Sequence, residues 1–399
     1  MSRLVPWIGP LIVLAIELPS IWTVPHVGEW FYFWYAGHLV ATGMSPFEPA
    51  NWLPTTHGYG PLAGGLAVNT LDGLDLAQLR TYSRWLWPPI AAILLAPFGA
   101  LPFELGVPAL HVATIVIAIG SALWLVRVLM PPALRPLAFA VLVASPPLVQ
   151  VMRAATVTLA ILPSTALLFA GLRRIDGPRI GLASFGLSIR PQLFLVVLAG
   201  LFGVMSARPM RRALVTSAVV WIVLNTVAFV VSPIPLDPSL LDAAREYALH
   251  DNSSTWRLAW EVAGDGVAIL APLMLAGALV ASAVAVRRSS AASRTEMVIA
   301  CALALAVAAA PYAHTYDHLA LFPAWLLVLR AANTRSRGLR TVGSLAVILA
   351  ALGYGWSAYL VGAAGFRAAV AVTPFLAIAL CASVAQRPEL QPGTTHPRY

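Results

Sequence analysis

The stretch VPALHVATIVIAIGSALWLVRV, residues 107–128, carries a single charged side chain, Arg127. An α-helix rises about 1.5 Å per residue, so a segment of this length reaches about 33 Å and crosses the roughly 30 Å hydrocarbon core of a bilayer. The whole chain has the same character. Of its 399 residues, 59% are hydrophobic and 10% are charged, and the mean hydropathy is +0.81, whereas soluble domains carry about 25% charged residues. The sequence therefore predicts an all-α integral membrane protein.

Apolar segments long enough to cross a membrane recur along the chain. Two of them are irregular, because 87–104 is short and rich in proline and 179–206 is interrupted by SIRPQ at 188–192. If each counts as one helix, about twelve spans form one helical bundle over 1–386 with both termini in the cytoplasm. The polar residues 387–399 then form a disordered cytoplasmic tail. The regular segments are 5–24, 107–128, 135–151, 155–172, 211–233, 266–286, 295–311, 317–331, 340–362 and 366–386.

The distribution of arginine indicates topology. The net charge is +9, and most arginines lie in short breaks between apolar segments, which is typical of cytoplasmic loops and not of a surface that binds nucleic acid. The breaks at 207–212, 287–294 and 330–340 all fall inside under the twelve-span count. The second half of the chain therefore obeys the positive-inside rule.

The first half allows two arrangements. The simple count puts five arginines outside, against that rule. An alternative makes 87–104 re-entrant and 179–206 two short helices, which moves the same arginines inside. Both arrangements place 25–86, 234–265 and 311–318 on the outer side. The five arginines are Arg127, Arg135, Arg173, Arg174 and Arg179.

An acid stands before a run of aromatic residues near the start of the long outer loop. Glu29 precedes six aromatics, from Trp30 to Tyr35, and this segment predicts a helix on the membrane surface. Trp and Tyr favour the headgroup level, so an interfacial belt accounts for most of the aromatics. Glu29 has two interpretations: a solvated acid at a helix start, or a general base that deprotonates a sugar hydroxyl.

Arg190 is a charge within an apolar segment. Such a charge usually faces a cavity or a partner, and a guanidinium matches a phosphate with two parallel hydrogen bonds. The alternative is a side chain at a helix end that extends to the headgroups. The sequence leaves both interpretations open.

A polar cluster occupies the outer turn at 311–318. His314, Asp317 and His318 lie there with Tyr312. The order His-x-x-Asp-His lacks the glutamate-bearing helical pattern of zinc hydrolases, so we predict no metal. We expect one histidine to contact the phosphate or sugar of a donor while Asp317 orients its neighbour.

Five segments, in order along the chain, resemble the membrane-embedded glycosyltransferases of family 87, the polyprenyl-phosphate-mannose-dependent α-1,2-mannosyltransferase group of actinobacteria. Three positions depart from the usual residues of the family: Glu29 replaces Asp, Trp87 replaces Tyr, and Arg190 replaces Lys. The segments are GEWFYFWYAGHLVATGMSPFEP (28–49), RWLWPPIAAILLAPFGALP (84–102), FGLSIRPQLFLV (185–196), YALHDNSSTWRLAWE (247–261) and APYAHTYDHLALFPAW (310–325).

The resemblance implies a GT-C-type helical bundle that transfers mannose with inversion. It implies a polyprenyl-phosphate donor and a cell-envelope glycolipid or polysaccharide acceptor, at a site facing the outside of the plasma membrane. Glu29 is the expected base, and the leaving phosphate is expected to contact Arg190 and His318, with His314 and Tyr312 beside it. No cofactor is predicted, because the acids are too scattered for a dedicated divalent-cation site. The residues expected to contact the acceptor or lipid are Trp30, Trp34, His38 and Asn252.

Three alternatives stay open. The first is transfer of arabinofuranose from the same type of carrier. The second is a transporter, such as a flippase for lipid-linked sugars, although the long outer loops and the gathering of polar residues on one side favour an enzyme. The third is an inactive relative, because three family positions are changed at once.

Overall fold

The fold is helical throughout its described part. The computed structural model describes residues 7–8, 11–12, 15, 27–48, 51, 85, 87–203, 208–234, 254–310, 314–333, 343, 345–347 and 363–384. Within them the α-helices are α1 (Val27–Ala41), α2 (Pro89–Gly99), α3 (Phe103–Leu129), α4 (Arg135–Val143), α5 (Pro146–Ala154), α6 (Ile161–Arg174), α7 (Gly177–Leu187), α8 (Pro191–Gly203), α9 (Arg208–Val231), α10 (Thr255–Ala263), α11 (Val267–Arg288), α12 (Ala291–Ala309), α13 (Phe322–Asn333) and α14 (Ala363–Val384). Short 3₁₀ helices cover Pro132–Leu134, Val157–Ala160, Gly264–Gly266 and Thr315–Leu321.

Four helical stretches are long and apolar enough to cross a membrane, which confirms the prediction of a helical membrane protein. The bent pair Pro132–Val143 and Pro146–Ala154, with an angle of 55°, makes a fifth if it counts as one span. The predicted count of about twelve is not confirmed by the described helices. The four stretches are Phe103–Leu129, Val157–Arg174, Pro209–Val231 and Thr255–Arg288.

The two irregular segments of the sequence form short helices. Most of α7 and all of α8 lie in the segment 179–206. The segment is divided because Pro191 has no N–H to continue the first helix and disfavours helical conformation at the residue before it. The segment 87–104 contains α2, whose 11 residues rise only about 16 Å. Both features match the alternative arrangement.

A shared carboxylate decides where the disputed arginines lie. Glu296 at the start of α12 accepts from Arg173 Nε at 2.6 Å, and its other oxygen pairs with Arg330 at the end of α13. Arg330 Nη1 also donates to the carbonyl of Leu129, at the end of α3, at 3.1 Å. Side chains on opposite faces of a membrane about 30 Å thick cannot share one carboxylate. The simple placement of the five arginines is therefore wrong, and they lie at the arginine-rich end with Arg330, which we expect to be cytoplasmic.

Helix α1 packs tightly on α2 at the other end of α3. A Cβ at Gly99 would stand 2.0 Å from the backbone nitrogen of His38, and one at Gly37 would stand 2.4 Å from the carbonyl oxygen of Leu95, so only glycine fits this crossing. Trp34 meets Phe103 edge-on at 5.3 Å. The rings at positions 32–35 are all buried. The expected interfacial belt is therefore wrong for these four residues, because they fill the interface between helices.

Candidate active site

A buried ion pair joins two distant parts of the chain. Arg190, in the break between α7 and α8, places Nε 2.8 Å from Oδ1 of Asp317, which lies in the 3₁₀ helix Thr315–Leu321. The side chains are 2% and 6% exposed. A charge in so dry a place is costly unless it is paired, so the pair is a defined feature of the interior. Of the two interpretations of Arg190, the structure contradicts a side chain that extends to the headgroups.

Two aromatic rings face the Arg190 guanidinium. Its Cζ lies 4.2 Å from the centroid of the Trp87 ring and 5.9 Å from that of Tyr316. A cation held over the face of Trp is stabilised by the ring quadrupole, and more strongly where water is excluded. Trp87 itself is half-buried. It therefore covers one face of a guanidinium that is otherwise inside the protein.

The 3₁₀ helix orients Asp317 through its own backbone. The His314 N–H donates to Asp317 Oδ2 at 2.9 Å, and the His314 side chain accepts from the backbone N–H of Asp317. This reciprocal cap satisfies two donors that the helix start would otherwise leave unpaired. Asp317 thus has one oxygen fixed by the turn and the other directed at Arg190. Asp317 therefore contacts both Arg190 and His314, and its expected role in orienting a neighbouring histidine stays a prediction.

Burial keeps both histidines of the turn neutral. The turn lies outside the helices that are long enough to span a membrane. Burial, and then the Arg190 charge, lower the pKa of His314 to about 3, and burial lowers the pKa of His318 to about 4. Burial raises the pKa of the Asp317 carboxyl, and the Arg190 guanidinium opposes that shift. At neutral pH the histidines can offer hydrogen bonds to a ligand, and Arg190 supplies the positive charge.

His318 is the more deeply buried histidine. It is 4% exposed, and among the described residues its Nε2 has no hydrogen-bond partner. Buried polar atoms in native proteins usually have a partner, which includes ligands and water. The expected contact between His318 and a donor stays a prediction, and this nitrogen is the atom that would make it.

An apolar cavity of about 900 Å³ adjoins the ion pair. Trp87 forms part of its wall, and so do Ile189 and Pro191, the chain neighbours of Arg190. Leu195 on α8 and Phe229 on α9 also line it, although their side chains are 61% and 51% exposed. The cavity therefore opens sideways between α8 and α9, where the surface of the helices is apolar.

Trp221 on α9 forms another part of the cavity wall. Its ring stacks on Phe194 with centroids 4.6 Å apart and an interplanar angle of 6°. Its Nε1 donates to Ser188 Oγ at 2.7 Å, and its carbonyl accepts from Asn225 Nδ2 at 2.9 Å. This part of the wall is thus ordered by packing and hydrogen bonds.

The other predicted site residues lie apart from this pair or outside the described residues. Glu29 and Trp30 belong to α1 by backbone, but their side chains lie outside the described part, as do Tyr312 and Asn252 altogether. The roles predicted for them stay predictions.

Trp34 and His38 are tied into the packing of α1. Trp34 Nε1 donates to the carbonyl of Leu101 at 3.3 Å. His38 stacks on Trp34 with ring centroids 5.2 Å apart, and its Nδ1 lies 2.9 Å from the Gly99 carbonyl oxygen. These contacts give both residues a structural role, and their contact with an acceptor or lipid stays a prediction.

Sequence reasoning missed the link between the parts of the site. Positions 87, 190 and 317 are far apart in the chain, and no local pattern connects them. The one available signal was charge balance, since an arginine and an aspartate within apolar surroundings each need a partner. Among the described residues, no three His, Cys, Asp or Glu side chains come close enough to share a metal. The absence of a metal stays a prediction.

The fold and this site define an integral membrane protein with a buried cationic centre beside a laterally open apolar cavity. A model of glycosyltransferase family 87 matches residues 85–311, more than half of the 399-residue chain. The chain therefore belongs to glycosyltransferase family 87, which makes it a membrane glycosyltransferase. No curated protein and no solved structure matches it. The matched region contains Trp87 and Arg190, whereas Glu29 and the turn with Asp317 lie outside it.

Proposed function

We propose that the protein transfers mannose, with inversion, from a polyprenyl-phosphate donor to a glycolipid or polysaccharide of the cell envelope. The observation that carries this proposal is the position of the buried Arg190 at the edge of an apolar cavity that opens towards lipid. A membrane glycosyltransferase needs a sugar donor. A donor with an isoprenoid tail and a phosphodiester head matches the two halves of this site.

The cavity supports the lipid part of the donor. A volume of about 900 Å³ is in the range of ligand sites, which are mostly apolar with a few polar groups. The opening between Leu195 and Phe229 faces the region of the bilayer, so a carrier lipid can enter without leaving the membrane. A water-soluble nucleotide sugar would reach a site from water and not through an opening to the bilayer.

Arg190 supports the phosphate part. When the bond between the anomeric carbon and the phosphate oxygen breaks, negative charge grows on the polyprenyl phosphate that leaves. A fixed guanidinium in a site without water stabilises that charge more than it would in solution. Asp317 holds the guanidinium in place, and the neutral His314 and His318 of the same turn are proposed to donate hydrogen bonds to the donor.

Glu29 is the proposed general base. In this mechanism an acceptor hydroxyl attacks the anomeric carbon, its proton passes to the Glu29 carboxylate, and the electron pair of the broken bond leaves with the polyprenyl phosphate. Tyr312 is proposed to contact the donor. Trp30, Trp34, His38 and Asn252 are proposed to contact the acceptor or lipid.

We further propose that the protein resides in the plasma membrane with the site facing outside. The arginine-rich end with Arg330 would then face the cytoplasm, as the positive-inside rule requires. The ion pair of Arg190 and Asp317 would lie towards the outer side, because α7 leads from the arginine-rich end at Arg179 to the break that contains Arg190.

The test is sugar transfer by purified protein in lipid nanodiscs. Radiolabelled mannose on a synthetic polyprenyl phosphate is offered with envelope lipid acceptors, and arabinofuranose on the same carrier is the second arm. We expect Arg190→Gln to lose at least 100-fold in kcat, as for removal of one charge-stabilising donor. The exposed Arg179→Gln is the matched control and should keep its activity. Glu29→Gln should abolish transfer, whereas Glu29→Asp should retain it.

Two results would contradict the proposal. If the wild type transfers neither mannose nor arabinose, the donor class is wrong. If Glu29→Gln turns over like the wild type, another group takes the proton and the role of Glu29 is wrong.

A further inference from the structure

The indole of Trp87 stands between the cavity and the Arg190 guanidinium. Trp87 lines the cavity, and so do both chain neighbours of Arg190, yet Arg190 is not among the lining residues and its side chain is only 2% exposed. The Trp87 ring centroid lies 4.2 Å from Arg190 Cζ. An anion that enters the cavity therefore meets the indole before it can meet the charge.

The backbone of Trp87 is anchored, and its ring borders the cavity. Pro88 and Pro89 follow it directly, and a proline restricts the residue before it to extended conformations. Phe33 meets the indole edge-on at 5.9 Å. The indole also lines the cavity, so rotation about its side-chain bonds towards that space is the movement that would uncover Arg190.

We propose that Trp87 makes Arg190 selective for phosphates that carry an isoprenoid chain. The inference rests on the proposed function, since it concerns how the donor reaches Arg190. The chain of the lipid fills the cavity and displaces the indole, which opens the guanidinium to the attached phosphate. Inorganic phosphate and water-soluble sugar phosphates have no chain to displace the ring, so they leave Arg190 covered.

The exchange of partners makes this selectivity possible. Displacement of the indole removes a cation–π contact, and a phosphate then replaces it with charge-assisted hydrogen bonds, which are stronger. Apolar surface on the isoprenoid chain is buried in the same step and adds to the driving force. A small phosphate gains only the hydrogen bonds and must leave water to enter an apolar cavity.

Chemical modification of Arg190 tests the proposal without any sugar transfer. Protein in nanodiscs reacts with phenylglyoxal, and peptide mass spectrometry follows the adduct at Arg190, with the exposed Arg212 as the internal standard. We expect Trp87→Ala to react at least tenfold faster at Arg190 than the wild type. Trp87→Phe, which keeps a smaller ring, should fall between them and serves if the alanine variant folds poorly. Trp124→Ala on α3, which removes an exposed indole that does not line the cavity, should leave the rate unchanged.

Two ligands separate displacement of the indole from binding of the phosphate. Farnesol, a chain without a phosphate, should speed modification of Arg190 in the wild type several-fold and have no further effect in Trp87→Ala. Inorganic phosphate should protect Arg190 in Trp87→Ala and not in the wild type. Equal rates in wild type and Trp87→Ala, or no effect of farnesol on the wild type, would overturn the proposal.

The modification experiment and the sugar-transfer assay can fail independently. If the wild type transfers no sugar but Arg190 shows the expected pattern of modification, the donor assignment fails and the shielding by Trp87 stands. If transfer occurs and the modification pattern is absent, the donor assignment stands and Trp87 has no selective role.

Discussion

Replacement of Asp317 by asparagine should destabilise the protein far more than loss of a surface charge. At the observed 2.8 Å, the attraction between Arg190 and Asp317 is about 6 kcal/mol for an effective dielectric constant of about 20. The cost of burying both charges offsets much of it, and breaking a buried pair by removing one partner typically costs about 3–5 kcal/mol. For a chain of 399 residues, 1 kcal/mol corresponds to about 1.2 °C in Tm. Asp317→Asn should therefore lower the Tm by about 4–6 °C.

The assay is thermal unfolding of purified protein in one detergent, followed by intrinsic fluorescence. Glu261→Gln is the matched control, because it breaks the pair with Arg257, whose side chains are 27% and 32% exposed. Exposed pairs contribute about 0–1 kcal/mol, so its Tm should change by about 1 °C or less.

A double variant separates stability from catalysis. Arg190→Met with Asp317→Leu replaces the pair by apolar side chains of similar size, which is often neutral for a buried pair. We expect its Tm to return to the wild-type value while sugar transfer stays absent. If Asp317→Asn unfolds at the wild-type temperature, or if the double variant is no more stable than the single one, the buried pair does not contribute the energy expected from its geometry.

Four other perturbations test the fold and the turn. Glu296→Gln leaves two neighbouring guanidiniums without their carboxylate, so the Tm should fall by about 2–4 °C, and added salt should reduce the loss. Gly99→Ala puts a methyl group against the backbone of the facing helix, and this overpacking should destabilise the fold by about 1–3 kcal/mol and lower the Tm. Gly120→Ala on α3, where the methyl group meets open space, is the control and should not lower the Tm. Cys301 and Cys381 are both buried, so alkylation of the folded protein should leave both thiols unmodified, and rapid alkylation of either before denaturation would refute the packing of α12 and α14. The pKa of His314 lies at about 3, below its ordinary value near 6.5. The stability that this neutral histidine contributes is therefore full above about pH 6.5 and is lost as the pH falls towards 3. His314→Gln should flatten the decline of Tm as the pH is lowered from neutral to mildly acidic.

Hydropathy and the placement of arginines correctly predicted a helical membrane protein. A run such as 107–128 can satisfy its backbone in lipid only as a helix, and α3 spans Phe103–Leu129 as that rule requires. Proline at 191 predicted a break within 179–206, because it removes a donor that the helix needs. These conclusions depend on local chemistry alone, and the family resemblance agrees with them.

The aromatic residues show where local chemistry misleads. Trp and Tyr are common both in the headgroup region and in protein interfaces, so the sequence could not decide which of these environments the rings at positions 32–35 occupy. The close approach at Gly37 and Gly99 brings α1 and α2 together and buries those rings. The tertiary structure therefore decides which of the two environments an aromatic side chain occupies.

Local chemistry is thus enough to establish that the chain is a helical membrane protein and that Arg190 and Asp317 each need a partner. The packing of separate helices makes those two residues partners of each other, lays Trp87 over the guanidinium and opens a cavity beside them. The physical reason is range: backbone hydrogen bonding and hydropathy act over neighbouring residues, whereas an ion pair between positions 190 and 317 exists only when distant parts of the chain have packed together.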